Sequence, residues 1–311
     1  MSEPVGIPKA IDSSGRTFTR AAIDDDPQPF DRPLRCGDCT TTVIPVRGSS
    51  RRPNSTWVAA HYRLTSRESA PHDEGCRYDF DAQTGRLYEE HRSALVRDGD
   101  TFELRLPQGD PVPDRSESEV PTSSHGRSRL TVHPRPGHHL EPTLSAATAI
   151  ARLLATYEND PTAQSRFTAD WNGDRIPWED FYFDAARDAH RLARTIEQHA
   201  HPVAVSGTIK DSGSTTSGGS YSIELDTDGG VRHRPTGRWI HVRIYSTDPD
   251  LLDFQVGQRI LGYGQWQTWI PDHSATNYFV RLWLNHRSAM TRIGPVRQTS
   301  RIGSSRPTQG G

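Results

Sequence analysis

Lysine is almost missing from this chain of 311 residues: Lys9 and Lys210 stand against thirty-five arginines. The bland reading of that skew is a GC-rich genome, although arginine also suits phosphate forks and ring stacking. Apolar residues are scarce too. Only 32% of the chain is hydrophobic, well under the roughly 45–50% apolar share of an ordinary soluble domain, so part of it belongs to no core. No apolar run approaches the ~20 residues of a membrane helix. The opening MSEPVGIPKAIDSSG lacks the basic start and apolar stretch of a signal peptide. The expectation is a cytoplasmic protein with no membrane partner. An excess of one charge is also lacking: 37 basic and 39 acidic residues leave −2, so no global field draws the chain onto a polyanion and any such site must be local.

What is present divides along the chain. Its length is about twice that of a common domain, which predicts two folded units plus connecting chain. TTVIPV at 41–46, TWVAAHYRL at 56–64 and FELRL at 102–106 are short strand-like runs between turn-forming segments. Residues 107–142 are rich in Pro, Ser, Gly and charge with no hydrophobic period, the composition of a disordered linker. Then Thr143 or Ser145 can cap a helix bearing Ala149, Ile150, Leu153, Leu154 and Tyr157. A second helix is predicted from Pro177 towards His199, with Phe181, Ala185, Leu192 and Ile196 on its apolar face. FTADWNGDRIPW between them carries an Asn-Gly hairpin signal. From Val203 the period becomes two: VAVSGTI, YSIELDT, WIHVRIYS, QRILGYGQW and NYFVRLWL are five strand candidates.

All three cysteines fall between Cys36 and Cys76. Without a secretion signal, that clustering points to a metal rather than to disulfides. Cys36 and Cys39 form a Cys-x2-Cys knuckle, and His72 with Cys76 supplies an imidazole and a thiolate separated by three residues. His61 is a substitute for His72 or a neighbour of the site. Mixed sulfur and nitrogen donors suit Zn2+, and four protein ligands make it structural, with no open position for water activation. With AIDSSGRTF, LRCGDCTTTVIPVRG, AAHYRL and HDEGC, the run from Ala10 to Cys76 resembles the zinc-ribbon-like N-terminal region of competence CoiA-like bacterial proteins. That resemblance implies contact with incoming DNA and a nuclease domain to follow. Glu89, Glu90, His91, Asp98, Asp100 and Glu103 are the acids and imidazole that such a domain would draw on. Its Glu-x-Lys pair, however, is matched at best by Glu103 and Arg105, so these charges are expected to form a solvated face.

The five strand candidates, with glycines where a curled sheet must bend, suit a small barrel. They resemble the OB-fold, VAVSGTI and VGQRILGYGQW resembling its nucleic-acid-binding members. The resemblance implies a ligand face on the second and third strands. In WIHVRIYS, alternation sends Trp239, His241, Arg243 and Tyr245 to one side and Ile240, Val242 and Ile244 to the other. Arg232, His233, Arg234 and Arg238 extend a basic rim. Trp266, Trp269 and Trp283 divide between core and ligand face. The expected class is α+β: a zinc-bearing β-rich unit at 1–106, the linker at 107–142, a two-helix segment at 143–202, a five-stranded OB-like barrel at 203–293 and a disordered tail at 294–311. The expected function is non-enzymatic. The protein binds nucleic acid, single-stranded DNA first, or else the barrel serves a protein partner; a degenerate nuclease is the remaining reading.

Overall fold

In the computed structural model, described over residues 5–50, 57–66, 71–107, 140–214, 219–271, 276–284 and 289–293, buried apolar side chains gather into two clusters. One draws on residues from Ile7 to Tyr78, the other on residues from Phe80 to Ile293. Most of the linker at 107–142 and all of the tail at 294–311 lie outside the described residues. The class is mixed α+β.

The first cluster is covered by β1 (Lys9–Ile11), β2 (Thr17–Thr19), β3 (Leu34–Cys36), β4 (Thr42–Val46) and β7 (His61–Leu64), an antiparallel sheet in the order β2-β1-β3-β4-β7. β5 (Ser49–Ser50) and β6 (Trp57–Val58) pair separately. Asp12 fastens the turn after β1. Its carboxylate accepts from the backbone N–H of Ser14, Arg16 and Asp31 and from Arg16 Nε. Burial opposes its ionisation, but the hydrogen bonds from Ser14, Arg16 and Asp31 hold the carboxyl well below the usual carboxylate range.

The boundary between clusters falls near residue 79, not at 106, because FELRL does not end a unit. After α1 (Phe80–Glu90), β8 (Leu95–Asp98) and β9 (Thr101–Arg105) form a hairpin. The chain then returns through α2 (Leu140–Thr156) and α3 (Pro161–Gln164) to β10 (Phe167–Trp171), which lies parallel to β9. β11 (Asp174–Pro177) completes a four-stranded sheet in the order β11-β10-β9-β8. Its Asn-Gly turn is as expected: Asn172 and Gly173 have φ of 57° and 88°, the left-handed pair of a tight hairpin. A parallel pair with a helix in its crossover was not legible in a stretch split by a linker.

The helix predicted from Pro177 is interrupted. α4 (Trp178–Phe181) gives way to β12 (Tyr182–Asp184), which pairs in parallel with the next long strand, and α5 (Ala185–Gln198) follows. Asp184 caps α5 by accepting from the N–H of Ala186 and Arg187. Beside the expected hairpin of β10 and β11, the segment called two-helix thus carries a third strand, β12.

The remaining strands are β13 (Val203–Ser214), β14 (Tyr221–Leu225), β15 (Trp239–Ser246), β16 (Arg259–Gly264), β17 (Trp266–Trp269), β18 (Asn277–Leu284) and β19 (Met290–Arg292). With β12 they make one eight-stranded sheet, along the path β17-β18-β15-β14-β13-β16-β19. Five strands were expected; β12 and β19 add at β13 and β16, and the expected fourth strand splits into β16 and β17. The split falls beside Gly264 (φ +156°), where only glycine fits, since a Cβ would come within 2.8 Å of Leu282 Cδ1. β15 and β18 are parallel, and the other neighbours in the path are antiparallel.

The two clusters meet at Arg20, nearly buried, which pairs with Asp160 and donates from Nη2 to Tyr157 O at 2.5 Å. The Tyr157 ring packs edge-on against both Tyr78 and Phe80.

Candidate metal centre and candidate nucleic-acid interface

β3 ends on Cys36, and the turn that follows returns Cys39 to the same side. The segment carrying His72 and Cys76 is tied to this knuckle by short polar contacts. Asp73 Oδ2 accepts from Thr40 N and Oγ1 at 2.9 and 2.8 Å, Thr41 Oγ1 donates to Pro71 O at 2.7 Å, and Arg77 N donates to Asp38 Oδ2 at 2.8 Å. The ligand atoms of Cys36, Cys39, His72 and Cys76 consequently lie within 4.8 Å of one another, an arrangement that could hold a metal ion. Cys36 Sγ and Cys76 Sγ are 3.7 Å apart, and His72 Nδ1 is 3.3 and 3.4 Å from the sulfurs of Cys39 and Cys76. A tetrahedron with Zn–S bonds of about 2.3 Å and Zn–N bonds of about 2.05 Å has S···S edges of about 3.8 Å and S···N edges of about 3.6 Å. The donor set therefore fits zinc in chemistry and in size.

The packed donors perturb each other. The hydrogen bond with Cys36, then burial, pushes the Cys76 thiol up to about 12. Burial depresses the His72 imidazole, but hydrogen bonds with Cys76 and Cys39 outweigh it and lift it to about 9. Such protons leave when a cation takes their place. His61 is not in the set of four: it sits on β7 opposite Val46, with Nδ1 3.0 Å from Ala59 O.

Four of the five acids weighed for hydrolysis are engaged in ion pairs, Glu90 being the exception among the pairs of the described residues. Glu89 pairs with Arg92, Asp100 with Arg166, and Arg175 bridges Asp98 and Glu103. Among the described residues, only the cysteine and histidine cluster gathers three or more potential metal ligands.

On β15 the predicted alternation is present. Ile240, Val242 and Ile244 are buried, while Trp239, His241, Arg243 and Tyr245 are half-buried on the outward side. The neighbouring strands extend that side. The parallel register sets His241 beside Phe279, Arg243 beside Arg281 and Tyr245 beside Trp283. From β17, Trp269 lies opposite Phe279. Rings stack across strands: Tyr245 on Trp283 at 5.1 Å and 23°, His241 on Phe279 at 5.1 Å and 27°. Trp269 and Trp283 are 38% and 43% exposed, while Trp266 is in the core.

The two central arginines differ. Arg243 Nε and Nη2 donate to Glu224 Oε2 at 2.8 and 2.5 Å, so its charge is neutralised. Arg281 lies over the Trp269 ring at 5.1 Å, its buried Nε has no hydrogen-bond partner, and no ion pair engages it among the described residues. Desolvation pulls its pKa down. Glu224 also accepts from His241 at 3.1 Å and faces Lys210 at 3.5 Å. The His241 hydrogen bond first, then that of Arg243, outweighs burial and brings its carboxyl down to about 2.

A carboxyl depressed in the folded state contributes stability that is fully present above its unfolded value near 4.5 and is lost as pH falls through its folded value of about 2. The Glu224 carboxyl carbon, followed by NMR, is therefore expected to stay ionised at pH 4 and titrate only near pH 2. A midpoint above 4 would contradict the network drawn here.

The rim divides as well. Arg232 lies over the Trp239 ring at 4.2 Å and donates to Gly237 O at 3.4 Å. Gly230 (φ +90°) makes room for that indole, since a Cβ there would meet it at 2.8 Å. Arg234 is exposed and Arg238 half-buried. His233 does not join the rim: it is buried, stacked on Tyr278 at 4.0 Å and 3.7 Å from Glu197. Phe279, Arg281 and Glu224 were missed from the sequence. The signal for the first two was present, since NYFVRLWL alternates in step with WIHVRIYS.

Compared with known proteins, the chain matches no family model and no curated protein. No helix among the described residues is long and apolar enough to cross a membrane.

Proposed function

We propose that this protein is a non-enzymatic single-strand nucleic-acid-binding protein that carries a structural zinc at Cys36, Cys39, His72 and Cys76. The observation that carries the reading is the outward side of β15, β17 and β18, where exposed tryptophans flank an arginine that pairs with no carboxylate among the described residues. Such an array suits a strand whose bases stack on rings while a phosphate pairs with Arg281, contacts that hold any sequence. A duplex keeps its bases inside and cannot use the rings.

An OB-like barrel is part of the same proposal. Three strands in an antiparallel meander, β13 to β15, a fifth parallel to the third, and a fourth that pairs with the first and the fifth in turn support it. On that reading the ladder path curls until its β17 and β16 stretches, one residue apart in the chain, continue each other at Gln265. The ligand surface then falls on the strands where OB-folds place it.

The test is a fluorescence-anisotropy titration of a labelled single strand at low and raised salt, with the same sequence as duplex for comparison. Single-strand binding that weakens with salt and exceeds duplex binding supports the reading. Equal affinity for the duplex, or no binding at low salt, overturns it; the latter leaves the aromatic side to a protein partner.

A further inference from the structure

A second candidate site lies between α2, the α4 to α5 region and the β16 and β19 edge, and shares no lining residue with the aromatic side. A cleft of about 750 Å³ opens there, within the ~300–1,000 Å³ of pockets that enclose small molecules. Five arginines line it, Arg152, Arg187, Arg191, Arg259 and Arg292, against two carboxylates, Glu179 and Asp188. Such an excess of cations is notable in a chain of net charge −2.

Four of the arginines are held in place without being used up. Arg187, 3.9 Å away, and Arg259 share the one buried carboxylate of Asp184, so the pair keeps a net positive charge beside the cleft. Arg191 pairs with Asp188 at 3.2 Å and donates to Glu179 O, and Arg292 Nη2 donates to Asp253 O at 2.9 Å. A guanidinium carries five N–H donors, and one such partner leaves others for a ligand. Another part of the wall is aromatic: Trp178 and Tyr182 stack at 5.4 Å with 10° between their planes. Tyr182 is only half-buried.

We propose that this cleft binds a nucleoside monophosphate, its phosphate on the arginines around Asp184 and its base against the aromatic wall. A bare anion would leave the apolar wall unused, and an apolar ligand would bury guanidinium groups without compensation. The site is independent of the strand-binding side and needs none of its residues.

Isothermal titration of the full chain with AMP, adenosine and inorganic phosphate tests the assignment. AMP is expected to bind saturably and more tightly than either fragment. The double variant Arg152→Glu/Arg187→Glu, with both side chains exposed, is expected to weaken AMP at least tenfold, whereas Trp269→Ala/Trp283→Ala is expected to leave it unchanged. A melting curve on each variant separates lost binding from lost fold; should the arginine variant unfold, Arg187→Gln alone, with a several-fold loss, serves instead. Phosphate binding as tightly as AMP, AMP binding lost with the tryptophans instead of the arginines, or no saturable AMP binding at millimolar concentration would each overturn the proposal.

Discussion

Stripping zinc from the protein, or replacing Cys36 by serine, is expected to open the unit before residue 79 while the larger one stays folded. The smaller cluster contains eleven buried apolar residues, and two of them are the thiols of Cys36 and Cys76. So small a core supplies little stability on its own. A four-ligand zinc contributes on the order of 10 kcal/mol in small zinc-dependent units, which outweighs what nine other buried side chains leave after chain entropy. The larger cluster has its own sheets and loses the contacts at the seam, those of Arg20 and Tyr157 together with the Gln83 bond to Cys76 O and the packing of Val5. The check is trypsin digestion with and without a chelator, alongside a zinc assay. One zinc per chain, with cleavage at Arg35 in β3 and Arg63 in β7 appearing only after chelation, is the expected result. Equal protection of both arginines in the metal-free protein would contradict a structural role.

Removing both exposed tryptophans, Trp269 and Trp283, is expected to weaken single-strand binding by at least about thirtyfold, since base stacking contributes ~1–3 kcal/mol per ring. Their exposure makes the substitutions mild for the fold. Arg281→Ala should also weaken binding and flatten its salt dependence, because a phosphate contact and its counterion release are lost together. Arg243→Ala should do less to binding and more to stability. Its guanidinium is already paired with Glu224, and its loss leaves that half-buried carboxylate short of a partner. The order predicted for binding loss is therefore the tryptophan pair, then Arg281, then Arg243. Anisotropy titrations of the three variants, each with a urea melt, measure it; Arg243 ranking first would show that the strand displaces Glu224 and that the neutralised pair is the true contact.

The four residues of the candidate metal centre were legible because their spacing is local: a two-residue knuckle and a three-residue gap need no knowledge of the fold to be paired. His61 stayed open until the sheet register put it opposite Val46, away from the knuckle. The outward residues of β15 were legible for the same local reason, since alternation alone separates them from Ile240, Val242 and Ile244. What surrounds them was not. Glu224 and Arg281 reach Arg243 through the β14–β15 and β15–β18 registers, which are long-range facts that no window of sequence contains. Period misled at 182–184, where an apolar run consistent with a helix face becomes a strand because β13 offers it an edge. It did find β9, as FELRL, but not the parallel pairing of that strand, whose partner lies beyond the linker.

The most direct test of the strand-binding account is to watch the indole N–H signals of the tryptophans while an unlabelled single strand without terminal phosphate is added. Trp269, Trp283 and Trp239 are expected to shift together and saturate at one strand per chain, while Trp266 in the core and Trp178 in the arginine-lined cleft stay in place. Shifts confined to Trp178, or none at concentrations that saturate any binding seen by anisotropy, would contradict it.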